Sequence, residues 1–402
     1  MKPQGSVLIV EPNFGGHRGN HVGIIVRHLR ESGVEPELLT SANCKAERSF
    51  DHLDLQISSF ENGTIKQPFY ARLLPQALRL QIELFQKISN YLENRVSEIG
   101  CAIFPTLQGS GLIPAGLSAN GFPVPWVGVV MAPGAHLRDH GIETHHSAME
   151  LRIQRRAYRR LVKQANCVQV GSFDPLFADW MNEPNVVYCP DPVNITCSDN
   201  VHDLVSHTGK PMVLIAGSID KRKKACELAD VLASINRSAP LHLVIAGKPN
   251  DDIRTKLESS PALKELQQSN SLDLILRRTS DAEMDYLFKR ADIVWSGNTR
   301  AYGSSGAIVR AGMHGKPVVT MNKSVMGNWM ESVSGGPAVD LNSNLELTKV
   351  FRKLVSDREL RETIGRKNYE LFKENTEQKY CEVLLGPLKL FGAAMPVGNG
   401  HG

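Results

Sequence analysis

Residues 297–319 read Gly-Asn-Thr-Arg-Ala-Tyr-Gly-Ser-Ser-Gly-Ala-Ile-Val-Arg-Ala-Gly-Met-His-Gly-Lys-Pro-Val-Val. The apolar run Ala291–Ser296 ahead of them predicts a strand, and Tyr302, Gly303, Ser304, Ser305 and Gly306 form the loop that follows. A helix then starts, closes at Gly315, and passes through Pro317 into the next strand. First-turn amides of such a helix have no internal partner and lie at the positive end of its dipole. Two glycines admit a ligand to the backbone and two serines add hydroxyl donors, so the stretch predicts an anion site, most simply one for phosphate.

The same alternation runs outward in both directions. Toward the N-terminus, Ser6–Val10 reads as a buried strand and Gly19–Ser32 as a helix with Val22, Ile25, Val26 and Leu29 on one face. Val34–Thr40 is the next strand, and Pro75–Ile99 is a long amphipathic helix. Short apolar runs follow at Cys101–Pro105, Trp126–Met131, Cys167–Gly171 and Val186–Cys189. The pattern stops near residue 190 in a proline-rich, then polar, stretch and restarts at Pro211. Strands are expected at Met212–Ala216, Leu241–Gly247, Leu272–Leu276 and Asp292–Ser296, with helices at Lys221–Ser234 and Asp281–Arg290 between them. Helices dominate Leu345–Leu390. Continuous apolar runs separated by helices mean parallel strands covered on both faces. The expected fold is α/β, two doubly wound Rossmann-like domains facing a cleft, at 1–193 and 211–375, joined by a linker at 194–210. A C-terminal helix at 376–394 is expected to cross back to the first domain, and 395–402 to be a disordered tail.

Composition narrows the function classes. The chain of 402 residues is 42% hydrophobic and 22% charged, with a net charge of +4. That balance is too weakly basic to argue for nucleic acid and suits anionic small molecules. Seven scattered cysteines without a Cys-x-x-Cys argue for reduced thiols. The opening Met-Lys-Pro-Gln-Gly-Ser lacks the charged and apolar regions of a secretory signal, and no apolar stretch approaches spanning length. The expected location is cytoplasmic.

In doubly wound sheets ligands sit beyond the carboxyl ends of strands. After the first strand come Gly15, Gly16 and His17; after Trp126–Met131 comes a loop containing His136. In the second half the loops bring Gly217, Ser218, Arg222, Lys223, Gly247 and Lys248 to the edge that also carries Tyr302–Gly306. Glycines, hydroxyls and cations of this kind hold a diphosphate. His136 and His140, like His17 and His21, are four apart, but no acid or cysteine completes a ligand set, so no metal site is expected. The basic helix Arg152–Lys163 reads as a solvated face, or as a surface for peripheral contact with anionic lipid at the inner face of a membrane.

In the order and spacing of these motifs the chain resembles the retaining GT-B glycosyltransferases, particularly the family 4 group of bacterial sugar-polymer enzymes. Gly15-Gly16 is similar to the N-terminal Gly-Gly loop, Tyr188–Val193 to the interdomain crossing, Gly217–Lys223 to the Gly-Arg-Leu…Lys-Gly phosphate segment, and Gly315–Val319 to the Gly-x-Pro-Val strand. The chain also departs from the family. Tyr302 and Arg310 stand where the donor loop usually has its two glutamates, Ser218 replaces the arginine of Gly-Arg-Leu, and Lys224 replaces the glycine of Lys-Gly. The usual histidine after the fourth N-terminal strand falls near Met131 or Ala132, and His136 is the replacement candidate.

The resemblance implies a metal-independent, hexosyltransferase-like enzyme with no cofactor beyond a nucleotide-sugar co-substrate. The donor is expected on Ser218, Arg222, Lys223, Gly247, Lys248, Tyr302, Gly303, Ser304, Ser305, Gly306 and Arg310. A glycan, lipid-linked sugar or small-molecule acceptor is expected on Gly15, Gly16 and His17, with His136 at the chemistry. Two alternatives stay open: a non-catalytic nucleotide-sugar-binding partner subunit, and a sugar-nucleotide epimerase on the same scaffold.

Overall fold

The computed structural model describes residues 5–15, 18–60, 76–195, 201, 203–299 and 302–388. Gly16, His17, part of the expected linker and the whole expected tail lie outside the described residues.

The first unit is built on a seven-stranded sheet. Its strands are β1 (Ser6–Val10), β2 (Pro36–Ser41), β3 (Gln56–Phe60), β4 (Ile99–Phe104), β5 (Trp126–Val130), β6 (Cys167–Ser172) and β7 (Val186–Tyr188). They lie in the order β3-β2-β1-β4-β5-β6-β7, and every pairing is parallel. The second unit carries β8 (Met212–Ala216), β9 (His242–Ala246), β10 (Leu272–Ile275), β11 (Ile293–Ser296), β12 (Val318–Met321) and β13 (Ala338–Val339). These are also parallel, in the order β10-β9-β8-β11-β12-β13. Strand order reverses beside β1 in one sheet and beside β8 in the other, so each sheet has a switch point: β1/β4 and β8/β11.

Period-two alternation divides each strand between two cores. In the second sheet Val213, Ile215, Leu243, Ile245, Ile293 and Trp295 face the helices Ala225–Asn236 and Asn344–Ser356. Leu214, Ala216, Val244, Ala246 and Val294 face Phe288, Ile308, Val309 and Phe372. Every residue of β5, β8, β9 and β11 is buried, as helices on both faces require. No helix among the described residues is long and apolar enough to cross a membrane.

The chain divides by contact into one unit comprising the residues up to His136, His145–Pro190 and the chain from Glu377, and another comprising Leu137–Thr144 and Asp191–Thr376. The helix Glu377–Leu385 packs in the first unit, burying Tyr380, Cys381, Leu384 and Leu385 beside Val22, Ile25 and Leu29. Arg27 donates to Glu377 at 2.6 Å. The short segment Leu137–Thr144, expected within the first domain, groups with the second, where the Asn328 amide donates to the His140 carbonyl at 2.8 Å.

Two local readings need correction. The helix expected over Lys221–Ser234 is broken: Lys221–Lys223 form a single 3-10 turn, Lys224 takes left-handed angles (φ 46°, ψ 43°), and the α-helix starts at Ala225. The strand β3 was not expected, because Gln-Ile-Ser-Ser-Phe at a sheet edge is half polar and lacks a continuous apolar run.

Candidate functional site

Three loops at the carboxyl edge of the second sheet are joined into one surface. The first follows β8. Gly217 turns at φ +93°, and Ile219 continues as a bridge beside Pro249, its N–H donating to the Lys248 carbonyl at 3.2 Å. Gly247, at φ +145°, lies so close that an added Cβ would come within 1.7 Å of the Gly217 oxygen, which only glycine permits. The third loop joins through β11: the Trp295 indole donates to the Lys223 carbonyl at 2.8 Å, and the Thr299 N–H donates to the Arg222 carbonyl at 3.0 Å. This junction of the β8 and β11 loops is the sheet's switch point, where open α/β sheets hold ligands.

Lys223 is the unusual group here. It is 9% exposed, and its ammonium donates to the Ala216 carbonyl at 2.6 Å. Burial pulls its pKa from 10.5 down to about 8, with Asp220 partly opposing the shift. A buried ammonium with one neutral acceptor at a strand end is held at a cost, which an arriving anion would remove.

On the loop after β11, the helix Gly306–Met313 begins behind Ser305. Ser305 occupies the N-cap position but makes no side-chain cap bond; its hydroxyl lies 3.3 Å from that of Ser296. A Cβ placed on Gly306 would meet nothing within 4 Å, so the first turn opens onto free space. Tyr302, Gly303, Ser304, Ser305 and Gly306 are all half-buried along this wall.

The remaining expected residues divide. Ser218 and Lys248 are exposed on the same loops. Arg222 is exposed too, but its guanidinium is turned back in a bidentate pair with Asp220. Arg310 points into the protein: it pairs with Asp285, itself 4% exposed, and lies 3.5 Å from Asp281. His314 approaches the same Asp285 oxygen at 3.4 Å. The negative partner that an arginine here calls for is thus supplied by the helix Asp281–Arg290.

His136 departs from its expected place. No part of it is exposed; its ring lies 2.9 Å from the Asp174 carboxylate and packs on Phe177 and Trp180. A fully enclosed imidazole does not touch a substrate in this conformation. Gly15 is described and faces open space, whereas its partners Gly16 and His17 lie outside the described residues.

Sequence reading missed the groups that hold these loops: Trp295, Ser296, Asp220 and Asp285. It also missed Glu11, a fully buried carboxylate at the end of β1. The available signal for Glu11 was an acidic residue directly after a five-residue apolar strand.

Comparisons with known proteins fall on the same ground. Residues 199–371 match the family model described as Glycosyl transferases group 1. Comparison with curated proteins gives no match. Among solved structures the chain is similar to a glycosyltransferase from Rickettsia africae ESF-5, at 13% identity over 96% of both chains with a TM-score of 0.61. It is similar to HepE from Anabaena in complex with UDP, at 13% identity over 94% of this chain and 98% of that one, TM-score 0.63. It is also similar to UDP-GlcNAc 2-epimerase from Neisseria meningitidis bound to UDP-GlcNAc, at 12% identity over 95% and 100% of the chains, TM-score 0.60. The fold is accordingly two Rossmann-like domains of the GT-B kind. The half that carries the three joined loops is the half that matches the group 1 glycosyl transferases.

Proposed function

We propose that the protein is a glycosyltransferase that binds a nucleoside-diphosphate sugar on the three joined loops of its second domain. It passes the sugar, with retention, to a glycan, lipid-linked or small hydroxylated acceptor held by the first. The observation that carries this is the buried Lys223 ammonium at the switch point, with the open first turn of Gly306–Met313 on the same loop junction. Match of residues 199–371 to group 1 glycosyl transferases supports it.

The chemistry follows from charge. As the bond to the anomeric carbon breaks, negative charge grows on the departing phosphate oxygen. Preorganised amides at Gly306, the Ser304 and Ser305 hydroxyls and the Lys223 ammonium stabilise it, as an oxyanion hole does. Lys248 and Ser218 add exposed donors, and Tyr302 and Gly303 shape the wall. Arg222 is available if the anion draws it from Asp220. Arg310 contributes by clamping the helix Gly306–Met313 against Asp285. Protein cations take the part a metal would otherwise play, and front-face attack by the acceptor needs no carboxylate nucleophile. Gly15, Gly16 and His17 are the residues assigned to the acceptor. The basic helix Ala148–Leu161 would bring the enzyme to an anionic membrane from the cytoplasmic side if the acceptor is lipid-linked.

The test is release of nucleoside diphosphate from a panel of nucleotide sugars, with and without acceptors, by the native protein and Lys223→Ala. Acceptor-dependent release that the variant loses supports the reading. Absence of nucleotide-sugar binding by calorimetry overturns it. A sugar-nucleotide epimerase, favoured by the likeness to the Neisseria enzyme, would instead turn over the nucleotide sugar without acceptor.

A further inference from the structure

A positively charged cavity lies at the amino end of the second sheet. Its volume is about 440 Å³, and Lys210, Asp292, Lys316, Arg358, Arg361 and Glu362 line it. Lys210, Asp292 and Lys316 stand one or two residues ahead of β8, β11 and β12, which begin at Met212, Ile293 and Val318. The cavity and the donor loops are therefore at opposite ends of the same four- and five-residue strands, about 15 Å apart.

Four cations against two carboxylates leave an excess of two positive charges. Two of the cations are held by the fold. Lys210 Nζ donates to the Ser269 and Asn270 carbonyls and to the Ser271 hydroxyl. Arg361 Nη1 donates to the Leu354 and Val355 carbonyls at 2.7 and 2.9 Å, and its Nε lies 3.8 Å from Asp292. Asp292 Oδ2 in turn accepts the Met212 N–H at 2.8 Å. The other two cations are open. Arg358 donates to Glu362 through Nε alone, at 2.7 Å, which leaves both Nη groups without a partner among the described residues. Lys316 is half-buried, and its ammonium makes no hydrogen bond or ion pair among the described residues. Its main chain is fixed: the N–H donates to the Ala311 carbonyl at 2.9 Å and the carbonyl accepts from the Asn368 amide at 2.8 Å. Burial lowers the Lys316 pKa from 10.5, with Asp292 opposing. Arg358 and Arg361 also stand in the first turn of the helix Arg358–Phe372, where the dipole disfavours cations and favours an anion between them.

We propose that this cavity binds the phosphate group of a small phosphomonoester, with Lys316 and Arg358 as its direct ligands. Such a group carries about −1.5 to −2 at neutral pH, which matches the excess, whereas a carboxylate supplies half of it. Its three oxygens take an ammonium and a guanidinium fork together. The volume lies within the range of small-molecule sites, about 300–1,000 Å³, and leaves room for a carbon body beside the phosphate. An adjoining cavity shares Gly315 and Glu362 and presents the Tyr369 ring, 47% exposed, as an apolar face for that body. Such a site is independent of what the donor loops bind.

The experiment is calorimetry on the full chain at pH 7 in chloride buffer, with inorganic phosphate, glycerol 3-phosphate, glucose 6-phosphate and fructose 6-phosphate as probes. At least one ester should bind the native protein, and more tightly than inorganic phosphate. Lys316→Gln should weaken that ester tenfold or more and Arg358→Ala threefold or more, while Lys223→Met on the donor loops stays within twofold. The Lys316 ammonium has no partner to lose and Arg358 is exposed, so both variants are expected to fold. No ester binding by the native protein, or binding that Lys316→Gln and Arg358→Ala both leave within twofold, overturns the proposal. Binding lost in Lys223→Met but kept in the other two puts the phosphate on the donor loops and overturns it equally. Inorganic phosphate bound as tightly as every ester overturns the assignment of an ester.

Discussion

Lys223→Met isolates the charge on which the proposed donor site depends. Its pKa falls from 10.5 to about 8, and at about 1.4 kcal/mol per unit the buried ammonium costs the unliganded protein about 3 kcal/mol at pH 7. The methionine keeps an unbranched stem and removes that charge. It also removes the 2.6 Å bond to the Ala216 carbonyl, which returns about 1–3 kcal/mol of the gain. The variant should therefore be as stable as the native chain at pH 7 or up to about 2 kcal/mol more so. The sign with pH follows from proton counts: between pH 8 and 10.5 the unfolded chain holds the proton and the folded chain sheds it, so native stability rises across that window. The variant loses this rise. With UDP the order inverts. A diphosphate beside the ammonium raises its pKa, so binding near pH 8 takes up protons, and loss of one charge-assisted contact weakens binding by about 1.5–3 kcal/mol, roughly ten- to a hundredfold. Urea unfolding at pH 7 and 9, with and without UDP, and calorimetry in two buffers of different ionisation enthalpy read all of this. A variant more than about 2 kcal/mol less stable at pH 7, and still stabilised by UDP like the native protein, would show that Lys223 serves only the fold.

Other perturbations follow from the same geometry. Glu11 is raised from 4.5 to about 7, so the folded chain holds a proton that the unfolded chain has lost, and native stability should fall by about 3 kcal/mol between those pH values, then level off. Glu11→Gln should abolish that fall in urea titrations at pH 5 and 8; an unchanged pH profile would mean the carboxyl is not titrating there. Gly247→Ala, whose Cβ would sit 1.7 Å from the Gly217 oxygen, should cost several kcal/mol or part the β8 and β9 loops, seen as a lowered Tm and lost UDP binding. Arg310→Met takes the guanidinium from the buried Asp285 and should cost about 3 kcal/mol; adding Asp285→Asn should restore most of it, and a non-additive double-mutant cycle checks the pair.

The sheets were readable because fully buried parallel strands are continuous apolar runs, and β5, β8, β9 and β11 are of this kind. The loop and start of the helix Gly306–Met313 were readable because glycine and serine ahead of a helix state their geometry locally. What escaped depends on distance along the chain. Arg310 looks like a free cation until the fold sets Asp285, 25 residues upstream, against it. His136 looks like a histidine at the chemistry until Asp174, Phe177 and Trp180 enclose it. Lys224 takes left-handed angles that its side chain disfavours, a turn that nothing in the local sequence announces. Glu11 was passed over because nothing local says that a charged residue after an apolar strand will be wholly enclosed.

The switch point of the second sheet sets an alkaline limit. Lys223 is buried there, and burial pulls its pKa down to about 8. Charge stabilisation on the leaving phosphate, as proposed, needs the ammonium, so kcat/KM for the nucleotide sugar should fall as pH rises through that value, by up to about tenfold per unit. The ratio reports the free enzyme, which is the state this pKa describes. Lys223→Met should lower the plateau and flatten the alkaline limb. An alkaline limb that persists unchanged in Lys223→Met would assign it to another group and separate Lys223 from the reaction.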